Sequence, residues 1–269
     1  MLTLTATVLS LLSLAPVSTA PLATGAALAA PAQEETPIVD KRPEIKEMLD
    51  TFKEHVKKRG EEDPEAIGVI DQLVQEYPNS GPKDRKAIVK ELEKAFKLKR
   101  NKELEPGVPD ERLYMASAVA MGRMGPESVK PLAKLLGAKN IKKKIRLQRT
   151  IAIALGTTRD LGAKDPLLGL LKHHDPVMVA AGAEALSYFV DAPLKDRKEM
   201  FSEQLKILMG QLTEKDADPT NVIALERWNT ISGPIVNSLQ KLSGHDERDP
   251  ATWQAWWNKN KKKDWDDLG

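Results

Sequence analysis

The chain has 269 residues, of which 41% are apolar, 30% charged and only 4% aromatic, enough apolar surface for one elongated domain or two small globular ones. Its 41 basic and 39 acidic side chains nearly cancel, which excludes a global field of the kind that announces a nucleic-acid or membrane-surface protein and leaves only local charge as a signal. Cysteine is absent, so disulfides, thiolate metal sites, a lipid-attachment thiol and thiol catalysis are excluded together.

The first charged residue is Glu34. Ahead of it Leu2 to Ala15 is largely apolar, small residues follow, and Ala27-Leu28-Ala29 has the form of a cleavage sequence. Residues 1–29 therefore read as a signal peptide, although no Lys or Arg stands near Met1. The mature chain is expected to begin near Ala30, to be secreted or periplasmic, and to have no stable membrane insertion after cleavage; the alternative is a leader kept as an anchor. Residues 30–42 read as a polar linker.

Apolar residues then recur at helical spacing: Ile45, Leu49, Phe52 and Val56; Ile67, Ile70, Leu73, Val74 and Tyr77; Ile88, Val89, Leu92 and Phe96. Pro43, Asp63-Pro64 and the stretch from Pro78 to Pro82 mark the boundaries, because proline suits a first helical turn and restrains the residue before it. Residues 43–105 are expected to form divergent N-terminal helical repeats. The segment Arg100 to Asp110, with Pro106, Gly107 and Pro109, reads as a linker or long loop between two helical halves.

Over 106–245 the chain repeats itself. Ala120-Met121-Gly122, Ala154-Leu155-Gly156 and Ala185-Leu186-Ser187 end three similar helices, with Ala120 and Ala154 34 residues apart and Ala154 and Ala185 31 apart. Leu132, Leu135 and Leu136 return 35 residues later as Leu167, Leu170 and Leu171. A two-helix unit at near-constant period predicts an all-α, α-solenoid architecture of stacked helix-turn-helix repeats. Alanines at 116, 118, 120, 152, 154, 180, 181 and 183 allow close helix approach, Gly122 and Gly156 are expected as left-handed helix ends, and Pro166 and Pro176, each behind an Asp, open the next helices.

At these residues the chain resembles the HEAT-like repeat family, in the short variety of phycobilisome-lyase-like and exported bacterial proteins, whose first helix often reads Asp-Pro-x-Val-Arg-x-x-Ala-Ala-x-Ala-Leu-Gly. Asp175-Pro176 through Ala180-Ala181 to Ala185-Leu186 carries the likeness, and the Trp-bearing stretch Asp249 to Trp257 is similar to the terminal segment of such proteins. The period is shorter than the roughly 40 to 47 residues of ordinary HEAT repeats. Tyr114, Gln148 and Val179 stand where the family has Arg, so its ladder of stacked Arg and Asp contacts is not expected. The resemblance implies a scaffold and no particular reaction.

Candidate chemistry is sparse. There is no Gly-rich phosphate loop, no zinc helix of the His-Glu-x-x-His kind and no Gly-x-Ser-x-Gly elbow, and neither a metal nor a cofactor is expected. His173-His174-Asp175 reads as an inter-helix turn and cap before it reads as a metal site. Lys139, Lys142, Lys143, Lys144, Arg146 and Arg149 form the densest basic run, a solvated face or a contact for an anionic partner. Trp253, Trp256 and Trp257 lie on one helical stripe behind Asp249 as N-cap and Pro250, within a C-terminal capping helix and tail at 246–269, and are expected to close the last repeat near Ile235, Leu239 and Leu242.

The expectation from these readings is a non-catalytic exported scaffold that binds an acidic protein, and no nucleic acid, through Lys130, Lys134, Lys172 and His173 on the second helices of its central repeats. The alternatives are a binder of anionic envelope polymer or polysaccharide and a lyase-like enzyme on the same fold. The sequence leaves the oligomeric state open.

Overall fold

Proline in the first turn opens four of the helices, because its fixed φ suits the position and its missing N–H would be unsatisfied there in any case. The computed structural model describes residues 39–268, so the expected signal peptide, the expected start near Ala30 and most of the linker lie outside the described residues. In chain order come α1 (Pro43–Lys57), α2 (Asp63–Glu76) and α3 (Pro82–Ala95), a hairpin of β1 (Glu103–Glu105) and β2 (Val108–Pro109), and α4 (Arg112–Arg123). There follow α5 (Val129–Leu136), α6 (Ile145–Thr157), α7 (Lys164–Leu170), α8 (Pro176–Leu186), α9 (Leu194–Ala217), α10 (Val222–Ser243) and α11 (Trp253–Asn260). The domain is mostly helical, and the two short strands are its departure from an all-α chain.

Side-chain caps satisfy several of the orphan donors at helix entries. Asp175 accepts the N–H of Val177 at 2.8 Å and Asn221 that of Ala224 at 3.1 Å, while Asp84 of α3 accepts the N–H groups of Lys41 and Arg42, just ahead of α1, at 3.0 Å each. At the other end of α10, Gly244 takes the left-handed conformation, φ 71°, and donates its N–H to the Gln240 carbonyl.

The helices lie in two rows. In the first, α2, α4, α6, α8 and α10 each pack on the next; behind it α5 packs on α3 and on the turn entering α7, and α7 packs on α9. A single apolar core runs between the rows from Ile45 to Trp265, including the expected Leu132, Leu135, Leu136, Leu167, Leu170 and Leu171. Each of these leucines is at least nine-tenths buried.

Gly122 and Gly156 correct an expectation. Neither has a positive φ; both lie inside their helices, and the left-handed residue after α4 is Gly125, at φ 75°. A Cβ on Gly122 would stand 2.4 Å from Thr157 Oγ1 and 2.8 Å from the Ala154 carbonyl oxygen, and one on Gly156 would stand 2.5 Å from that of Ala185. Glycine is required there because the next helix of the row passes too close for any side chain. The C-terminal ends of α4, α6 and α8 are thereby held side by side, so the three helices run parallel.

The segment expected as a linker or long loop is a loop that carries the β1–β2 hairpin and is anchored at both ends. Arg100 and Asp110 are buried, and only the hairpin between them is exposed. The Arg100 guanidinium donates to Asp63 at 2.8 Å and to the Val56 carbonyl at 3.0 Å, while α2 and α3 both pack on α4. The core therefore passes this point without a gap.

Candidate functional site

The four expected partner-binding residues do not share one setting. Lys130 and Lys134 project from α5 into solvent, but Lys134 Nζ is bound to Glu93 of α3 at 3.0 Å, which offsets its charge. Because α7 ends at Leu170, Lys172 and His173 lie in the following turn and not on a helical face, which corrects their expected placement. His173 is half-buried: its Nδ1 accepts the Asp175 N–H at 3.0 Å, its ring lies 4.3 Å from that of His174, and Arg227 donates to the His174 carbonyl at 2.9 Å. These bonds fix His173 and His174 in the turn before α8, whose N-cap is Asp175. Among the described residues, no three His, Asp or Glu side chains converge in a way that could hold a metal ion.

The basic run is also divided. Lys144 pairs with Glu111 at 2.6 Å and lies over the Tyr114 ring, and Arg149 pairs with Glu184 at 2.7 Å. Lys139, Lys142, Lys143 and Arg146 are exposed and have no ion pair among the described residues. Lys143 and Arg146 border a groove of about 460 Å³ between the hairpin and the entries of α4 and α6, floored by Leu104, Val108, Met115 and Ile145. Leu104 and Val108, on the two strands of the hairpin, are 50% and 41% exposed and together form a small apolar patch. Asp110, behind the groove, binds the Arg112 guanidinium at 2.7 and 3.0 Å, and this bond holds its carboxyl below the usual carboxylate range.

Four of the five tryptophans form a cluster about Phe201 of α9, whose ring centre lies 5.2 to 5.6 Å from those of Trp253, Trp256, Trp257 and Trp265. Trp253 and Trp265 are buried, and Trp256 and Trp257 half-buried. The stripe packs about Phe201 of α9 and belongs to the same apolar cluster as Ile235, Leu239 and Leu242 of α10. Helix α11 begins at Trp253, three residues beyond Pro250, with Thr252 at its N-cap position; the Asp249 side chain accepts the Ala251 N–H at 3.1 Å in the turn before it. Phe201 and Trp265 stand outside any repeated pattern, and only their aromatic character could have drawn notice in the sequence.

Beside this cluster Ser243, His245, Lys259, Lys263 and Asp266 line a hollow of about 580 Å³, with His245 stacked on Trp256 at 5.1 Å. Its groups are largely engaged within the fold: Asp266 is paired with Arg197, and Asn260 accepts the Trp265 indole N–H through its carbonyl. No helix among the described residues is long and apolar enough to cross a membrane. Compared with family models, curated proteins and solved structures, the chain matches none.

Proposed function

We propose that the chain is an exported, non-catalytic solenoid of HEAT-like repeats that binds an acidic protein partner. The observation that carries this reading is the recurrence of one contact from layer to layer: Gly122 against Ala154, then Gly156 against Ala185, with the same leucine triplet buried behind each. A stack built that way buries its apolar surface between neighbours and leaves an extended outer face free for recognition. Lys130 on α5 and Lys172 in the turn after α7, both exposed and without an ion pair among the described residues, are the positive charges this reading assigns to the partner, with Lys134 weakened by Glu93. Exposed ion pairs contribute only about 0 to 1 kcal/mol each, so such charges act mainly on encounter rate and partner choice.

The test is a crosslinking pull-down from envelope extract followed by association kinetics at two salt concentrations. An acidic protein should be captured, and Lys130→Glu/Lys172→Glu should slow its association several-fold at low salt. Association that ignores both salt and the double reversal would refute the assigned face.

A further inference from the structure

Most large apolar side chains that remain exposed are isolated, but two groups are not: Leu104 with Val108 on the hairpin, and Val222, Ile223 and Leu225 at the entry of α10. The second group sits on a projecting tip. Helices α9 and α10, at 24 and 22 residues, are far longer than the 11-residue α8 on which α10 packs. The Arg227 bond to the His174 carbonyl sets residue 227 level with the entry of α8. The five residues before it, 222–226, therefore extend about 7 Å beyond that entry at 1.5 Å per residue.

The two groups carry opposite charge. Around the tip Glu214, Asp216, Asp218 and Glu226 are exposed, against the single Lys215, which pairs with Asp216 and lies over the Trp228 ring. The groove by Leu104 and Val108 is bordered by Lys143 and Arg146, with Lys142 nearby; of its neighbouring acids, Asp110, Glu111 and Glu103 are bound to Arg112, Lys144 and the Gly107 N–H, while Glu105 is exposed and has no ion pair among the described residues. An acidic tip bearing three apolar side chains and a basic groove with an apolar floor are complementary in both respects.

Their placement allows the match to be made twice. The contacts of Gly122 and Gly156 make α4, α6 and α8 parallel, and α10 runs the same way, with Arg227 by His174 at one end and Lys241 over Tyr188 at the other. The entries of α4 and α6, which form the groove, thus lie on the same edge of the row as the entry of α10. Two copies facing edge to edge about a two-fold axis would each present a tip to the other's groove, and such an interface closes on itself without continuing into a fibre.

We infer that this chain forms a two-fold dimer in which the acidic apolar tip at 214–226 docks in the basic apolar groove of a second copy. This goes beyond the proposed scaffold role and does not depend on it.

The experiment is sedimentation equilibrium of the protein from its native host between about 1 and 100 μM, a range that reveals micromolar association. The parent should dimerise, less so at high salt. Lys143→Glu/Arg146→Glu makes both surfaces acidic and Asp216→Lys/Glu226→Lys makes both basic, so each variant alone should associate at least tenfold more weakly. Mixed in equal amounts the two should form the dimer again, since each tip then meets a groove of opposite sign. A parent that stays monomeric throughout overturns the inference without recourse to any variant, and so does a dimer indifferent to both reversals or one that mixing does not restore. A monomeric parent whose groove reversal abolishes capture of a different acidic protein would assign the groove to that protein instead.

Discussion

Replacing Gly156 with Ala adds one methyl group at the point where α6 crosses α8. Its Cβ would stand 2.5 Å from the Ala185 carbonyl oxygen and 2.7 Å from Ala185 Cα, so the helices must separate by about 1 Å to restore ordinary contact. The obstacle is backbone, which cannot rotate aside, so the upper part of the usual overpacking cost applies, about 3 kcal/mol. Alanine in place of a helical glycine returns about 1 kcal/mol through propensity. The net expectation is a loss of about 2 kcal/mol, or about 4 to 8 °C in Tm for a domain of this size. Gly210→Ala is the control: Gly210 lies inside α9 with nothing within 4 Å of its added Cβ, so only the propensity gain remains and stability should rise by up to about 1 kcal/mol. Thermal and urea unfolding of the two variants beside the parent decide the matter. If Gly156→Ala melts with or above Gly210→Ala, close backbone approach is not what holds this row of helices together.

Trp253→Ala removes a fully buried indole beside Phe201 and should cost about 3 to 5 kcal/mol, whereas Trp257→Ala, half-buried, should cost clearly less; equal urea midpoints would contradict the closing role of the cluster. Arg100→Met strands the buried Asp63 carboxylate and should destabilise by about 3 to 5 kcal/mol, with much of the loss recovered when Asp63→Asn is added, as a double-mutant cycle in urea would measure. Asp110, its carboxyl lowered by Arg112, contributes stability that is present above its ordinary value of 3.8 and lost as pH falls through its lower folded value. The Asp110 amide, which bonds the Lys102 carbonyl at 3.0 Å, should therefore lose exchange protection in that acid window, and Asp110→Asn should flatten the dependence.

The helical character of the chain was legible from periodicity alone. Burial at three- and four-residue spacing, as at Ile45, Leu49, Phe52 and Val56 or at Leu132, Leu135 and Leu136, is a property of one helix, and the solvent-facing side of that helix is encoded in the same few residues. Proline and Asp at helix entries were equally local, and Pro176 with Asp175 does what its type suggests. The same locality explains the errors. Gly122 and Gly156 near the ends of their helices look like terminators, and only the neighbouring helix, some thirty residues on, reveals that their missing side chains admit a backbone. Arg100 and Asp110 in a Pro- and Gly-containing stretch look like solvent-exposed linker ends, until Asp63, 37 residues earlier, and the packing of α2 and α3 on α4 bury them.

The candidate surfaces divide in the same way. Which residues are basic, acidic or apolar is read directly from the chain, but which charges remain free is not, because Lys134 and Lys144 are offset by Glu93 and Glu111 from distant turns of sequence. The basic run gained an apolar floor only when the hairpin folded beside α6, and the tip at Val222 and Ile223 projects only because α10 outruns α8. A local pattern sets a residue's element and its face, since those depend on neighbours within a turn or two. Pairing, exposure and juxtaposition depend on residues tens of positions away, and these the tertiary structure decided.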